Sequence, residues 1–157
     1  MGTNLTITEK LEKYIDEFSQ ELHPVQREII LYNKSLGDKK RMQISKSQCH
    51  FLELIVKISN SKKILELGTF TGLSALSMSL ALPNSGNLIT LDKNIKTNKI
   101  ATDFFKKAKQ EKKIKTIIKP ALESILELRK EKNIFDIVFI DADKSNYKKY
   151  YDNTLEL

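Results

Sequence analysis

Apolar positions recur along this chain with two periods, a helical one near the N-terminus and short apolar runs alternating with helical segments afterwards. Leu11, Tyr14, Ile15, Phe18 and Leu22 stand at helical spacing. They predict an amphipathic helix over 5–22, opened by a Thr6-x-x-Glu9 capping box. His23-Pro24 interrupts it, and His23 is read as a loop residue with no chemistry assigned. A second helix is expected over about 25–36, with Val25, Ile29 and Ile30 on one face and Gly37 as its stop. Residues 38–44 read as a basic loop. Ser45-x-x-Gln48 is a further capping box, opening a helix to about Ile58 with Cys49, Leu52, Ile55 and Val56 on its core face. The first two helices must bury their stripes, over the site or against another subunit.

From residue 62 onward the pattern changes. Ile64, Leu65 and Leu67 form a short apolar run suited to a strand buried on both faces. Gly68 and Gly72 punctuate it, and Leu73 to Leu82 reads as an apolar helix. Pro83 to Gly86 is a turn, and Asn87 to Leu91 a second strand ending at Asp92. A helix over about 95–110 follows, with Ala101, Phe104, Phe105 and Ala108 inward. Ile114 to Ile118 is a third strand, Pro120-Ala-Leu-Glu123 opens another helix, and Phe135 to Ile140 is a fourth strand leading into Asp141-Ala-Asp-Lys-Ser145. This alternation predicts an α/β fold with a parallel, doubly wound sheet. Its ligand crevice belongs at the carboxyl ends of the strands, where Glu66, Gly68, Asp92, Ala121 and Asp141 fall.

The glycines at 68 and 72 are spaced G-x-x-x-G, not G-x-G-x-x-G, and Phe70 occupies the place of a middle glycine. That disfavours a pyrophosphate pressed onto the turn. Gly68 is expected to let a ligand approach the backbone. Glu66 at the strand end repels phosphate and attracts a cation or hydroxyls, so a ligand with a positive centre and a ribose, such as S-adenosylmethionine, suits the loop. Asp92 lies about 20 residues on, where a carboxylate meets ribose hydroxyls; an ordinary helix N-cap is the alternative.

The 157 residues fit one domain, and a net charge of +7 suits an anionic partner as well as a lysine-rich proteome. The single Cys49 excludes an internal disulfide framework and a multi-cysteine zinc site; it reads as a buried thiol. No apolar run approaches the roughly 18 residues of a membrane span, and a cytoplasmic protein is expected.

Met42-Gln43-Ile44-Ser45, Leu65 to Gly72 with Ser74, Leu91-Asp92, Pro120-Ala121-Leu122 and Phe139-Ile-Asp-Ala-Asp-Lys144 occur in an order and spacing that resembles the cation-dependent, S-adenosylmethionine-dependent O-methyltransferases of the caffeoyl-CoA and catechol type. The match covers roughly 40–151, with Leu73 where the family often has tyrosine. The resemblance implies a Rossmann-like methyltransferase fold with N-terminal helices. It implies that Met42, Glu66, Gly68, Thr69, Phe70, Gly72, Ser74, Asp92 and Ala121 hold S-adenosylmethionine, with Asp141 beside them. It further implies that Asp141 ligates a divalent cation such as Mg²⁺ and that Lys144 is the catalytic base. A metal-chelated hydroxyl is more acidic and better oriented for in-line attack.

The same resemblance implies three more strands and an Asp-Asn metal pair that this sequence does not contain. The apolar fourth strand would also form an open edge. We therefore expect an incomplete chain: a single methyltransferase domain over 1–157, comprising a helical cap (1–60) and the first part of the core (61–157). Three readings stay open. They are a small-molecule methyltransferase acting on a vicinal diol, a methyltransferase for 5-hydroxyuridine in tRNA, and a non-catalytic remnant that binds the cofactor. A homodimer is expected.

Overall fold

Strands and helices alternate from Lys63 onward in the computed structural model, which describes residues 8–157. Four strands, β1 (Lys63–Leu67), β2 (Asn87–Asp92), β3 (Ile114–Ile118) and β4 (Ile137–Ile140), form one sheet in the order β3-β2-β1-β4. Every pairing is parallel; Glu66 stands opposite Thr90 on one side and Phe139 on the other. Between them run α4 (Leu73–Ala81), α5 (Ile95–Lys107) and α6 (Ala121–Lys130), and α7 (Tyr147–Thr154) follows β4.

Two cores, one on each face, make the sheet doubly wound. Ile64 and Leu88 join Leu76 and Met78 of α4 and Phe105 of α5 on one face. Leu65, Leu67, Ile89 and Leu91 join Ile125 and Leu128 of α6 and Tyr150 of α7 on the other. Because side chains alternate along a strand, Glu66 shares the first face with Ile64. That places a carboxyl group under α4.

Of the N-terminal helices, those over Pro24–Lys34 and Lys46–Ile58 add Val25, Ile29, Cys49, Leu52 and Val56 to that first core, whereas the first buries none of its described residues. The described part of α1 (Glu9–Phe18) is capped by Thr8, whose Oγ1 accepts from Leu11 N–H at 3.3 Å; the expected start at 5 and the Thr6 box lie outside the described residues. The helix ends at Phe18, short of the expected 22, because Ser19 turns extended. Leu22 then reaches the core from the connection, not from the helix.

His23 is more than a loop residue. It caps α2 (Pro24–Lys34): its Nδ1 accepts from Val25 N–H at 3.2 Å, and its own N–H donates to Gln26 Oε1 at 2.8 Å. Proline at the first helical position needs no N–H partner. α2 buries Val25, Gln26, Ile29 and Asn33 and ends at Ser35. Gly37, with φ +59°, opens a 3-10 helix over Gly37–Met42 in place of the expected loop. α3 (Lys46–Ile58) follows the predicted box, with Ser45 and Gln48 bonded reciprocally.

β4 starts two residues later than expected. Phe135 N–H donates to Leu157 O at 2.6 Å, and the Asp136 carboxylate takes the N–H groups of Lys62 and Lys63 at 2.7 and 2.8 Å. These bonds clamp the strand's entry without extending its ladder. Among the described residues β4 pairs with β1 alone, and all four of its side chains are half-buried. No described helix is long and apolar enough to cross a membrane.

Candidate active site at the carboxyl ends of the strands

A cavity of about 900 Å³ opens where β1, β2, β3 and β4 end, roofed by the segment before α3. Met42, Gly68, Thr69, Phe70, Ser74, Asp92, Ala121, Asp141 and Lys144 all line it. Residues far apart in sequence thus meet at one crevice, as a parallel sheet requires.

The loop after β1 is held from two sides. At Gly68 (φ +101°) an added Cβ would lie 2.1 Å from the Asp141 carbonyl oxygen. This glycine therefore makes room for the end of β4, while its backbone also lines the cavity where a ligand is expected. At Gly72 (φ +88°) a Cβ would meet the Phe105 ring at 2.5 Å, so it seats the start of α4 against α5 and does not line the cavity. Phe70, between them, takes a left-handed φ of +47°, which costs a residue with a Cβ about 1–2 kcal/mol.

Asp92 offsets that strain. Its Oδ2 accepts from Phe70 N–H at 2.8 Å and Thr69 N–H at 3.2 Å, and its Oδ1 accepts from Asn94 N–H at 2.9 Å. The N-cap of α5 is Asn94, whose Oδ1 accepts from Lys96 and Thr97. Asp92 is therefore not the helix cap but the clasp of the glycine loop. A carboxylate has about four acceptor positions, so three bonds leave one for a hydroxyl in the cavity.

Glu66 stands behind the cavity wall, with no exposed surface. Its Oε1 accepts from Ser74 Oγ and its Oε2 from Thr90 Oγ1, each at 2.5 Å. Burial pushes its carboxyl up to about 8, against the pull of those two hydroxyls, and the Asp141 and Asp92 charges add to the rise. A direct cation or hydroxyl contact, expected from its place at a strand end, is not its role here; it reaches the cavity through Ser74.

Asp141 opens onto the cavity. Partial burial raises its pKa and the nearby Lys144 opposes the rise. Asp143, which the sequence reading left out, is occupied by the fold. It accepts from Tyr150 OH at 2.5 Å, Asn146 Nδ2 at 2.6 Å and Ser145 Oγ at 3.0 Å, and the Tyr150 bond above all holds its pKa down. Among the described residues no three His, Cys, Asp or Glu side chains gather at one point. A hard cation takes about six oxygens, and among the described residues Asp141 is the carboxylate at the cavity that is free to supply one of them.

Cavity residues beyond the expected set include Arg41, Gln43, Lys93 and Leu122. Buried Asn33 donates to Gln43 Oε1 at 2.8 Å and fixes that amide at the wall. Thr90 acts from behind the wall and Tyr150 lines the cavity beside Asp143, and only the strand register and the fold of α7 reveal them. Cys49 is buried and its thiol is pushed up to about 11 by desolvation, so it is no nucleophile.

Known proteins resemble this chain in sequence and in fold. A family model described as O-methyltransferase matches residues 16–157. A probable caffeoyl-CoA O-methyltransferase 2 of Dictyostelium discoideum is 36% identical over 92% of this chain and 63% of its own length. Catechol O-methyltransferase domain-containing protein 1 of Mus musculus is 35% identical over 94% of this chain and 56% of its own. The chain thus spans about three fifths of these relatives. The structure of an O-methyltransferase from Bacillus cereus in complex with SAH superposes with a TM-score of 0.86 at 28% identity, covering 94% of this chain and 67% of that one. On the family match and these identities, the chain belongs to the O-methyltransferase family.

Proposed function

We propose that the cavity binds S-adenosylmethionine and that the protein transfers its methyl group to a hydroxyl of a small vicinal-diol aromatic acceptor. The observation that carries this reading is Asp92, a carboxylate clasped by three backbone N–H groups with one acceptor position left in the cavity. That position suits a ribose hydroxyl. Pro120, Ala121 and Leu122 offer an apolar wall for a base, and Met42, Ser74 and the 68–70 backbone line the remainder. When bound, the cofactor supplies an electrophilic methyl on a sulfonium. Lys144 Nζ, in its free amine form, would take the acceptor's proton and become the ammonium, and Asp141 is the ligand this chain offers a divalent cation. Pairing of two copies belongs to the same reading, supported by the uncovered Tyr14, Ile15 and Phe18 of α1.

Transfer of a labelled methyl group, with catechol or undermodified tRNA as acceptor, tests the proposal with and without EDTA. Methylation of catechol that EDTA abolishes and Mg²⁺ restores is the expected result, and Asp141→Ala is expected to lose it. Transfer to tRNA alone replaces the small-molecule acceptor by RNA, for which the charge of +7 is suited. Cofactor binding without transfer to either leaves a binding module.

A further inference from the structure

Glu66 is the one charged-type side chain among the described residues that is fully buried, and the hydroxyls around it form a chain with two ends at the cavity. Ser74 Oγ meets Glu66 Oε1, Glu66 Oε2 meets Thr90 Oγ1, and Thr90 Oγ1 lies 2.6 Å from Thr69 Oγ1. Ser74 and Thr69 line the cavity; Glu66 and Thr90 do not.

Counting hydrogens along this chain gives one ionised arrangement and two neutral ones. The neutral one with its hydrogen on Oε2 passes a donor through Thr90 to Thr69, and the one with it on Oε1 acts on Ser74. An ionised Glu66 only accepts, so Ser74 and Thr90 both spend their hydroxyl hydrogen on it. Ser74 then offers the cavity lone pairs alone. A neutral Glu66 carries a hydrogen of its own. Donated to Ser74 Oγ, it frees the Ser74 hydrogen to point into the cavity, while Thr90 keeps its bond to Oε2.

We propose that Glu66 is a positioning residue which, as the neutral acid, donates to Ser74 and turns the Ser74 hydroxyl into a donor for an anionic group of the ligand, the carboxylate of its amino-acid end. This rests on the cofactor reading above. The environment favours the neutral form. Loss of solvent outweighs the two hydroxyl bonds, and the two charges acting on Glu66, Asp92 at the end of β2 and Asp141 just after β4, are both negative. α4, which covers it, has no titratable side chain. Because the pKa of Glu66 is raised to about 8, the donor is present at neutral pH and lost as pH rises through that value.

Calorimetric titration of the whole chain with SAH between pH 6.5 and about 9.5 tests this, alongside methylthioadenosine, which lacks the amino-acid end. A hydrogen bond to a charged group is worth about tenfold or more in affinity. Wild-type affinity for SAH is expected to fall by about that factor across the range. In Glu66→Gln, which cannot ionise and whose amide still donates to Ser74, the fall is expected to be at least severalfold smaller. Ser74→Ala should bind SAH weakly at both ends, and methylthioadenosine should show no such fall in any of the three. An equal fall in wild type and Glu66→Gln overturns the proposal, as does no fall in either.

The infrared carbonyl band of a protonated carboxylic acid reads the same bond without ligand. It is expected at neutral pH, shifted in Ser74→Ala and missing in Glu66→Gln. Its absence from the wild type overturns the inference, whereas its presence with no SAH binding overturns the cofactor reading alone.

Discussion

Single residues at this site carry more than one duty, and Gly68 shows it most directly. Its φ of +101° and the 2.1 Å approach of the Asp141 carbonyl to any Cβ tie the turn after β1 to the end of β4. Gly68→Ala combines a strained backbone, about 1–3 kcal/mol, with an overpacked contact of similar size. We expect a loss of about 3–5 kcal/mol in denaturant unfolding, and a change below about 1 kcal/mol would contradict the contact. From the sequence a glycine beside a glycine-loop helix reads as room for a ligand. Only the β1–β4 pairing shows that the space a Cβ would fill is taken by the Asp141 backbone, while the glycine's own backbone still lines the cavity. Glu66 was misplaced for a related reason: its position at a strand end is legible, but the hydroxyls that seal it come from α4 and from Thr90 across the sheet.

At the scale of elements, short pieces are held by side chains rather than by their own length. α7 has eight residues and no side-chain cap, too short to be stable alone. It is anchored by buried Tyr150, whose OH donates to Asp143 at the mouth of the cavity. Tyr150→Phe keeps the ring and removes that bond. A loss of about 1 kcal/mol is expected, with faster amide exchange over 143–150 than in wild type. Unchanged exchange there would show that ring burial alone seats the helix. The strands and α3 to α6 were legible because apolar runs, capping boxes and turns agree. The end of α1 and the start of β4 were not. Leu22 is buried from a turn and Phe135 is bonded to Leu157, contacts that continue a local pattern without belonging to its element.

The whole molecule brings distant parts of the chain to one crevice, and that convergence was readable in advance. Once four strands are taken as parallel, their carboxyl ends must lie together, so Gly68, Asp92, Ala121 and Asp141 had to be neighbours. Which of them face the cavity, and which act from behind it, depended on packing that no spacing encodes. The central claim is that Asp92 holds both the glycine loop and a cofactor ribose. Calorimetric titration with S-adenosylmethionine and with NAD, for wild type and Asp92→Ala, tests it most directly. The account predicts binding of S-adenosylmethionine with no measurable binding of NAD, and a loss of about 1–3 kcal/mol in the variant. Equal affinity of wild type and Asp92→Ala for S-adenosylmethionine would contradict it.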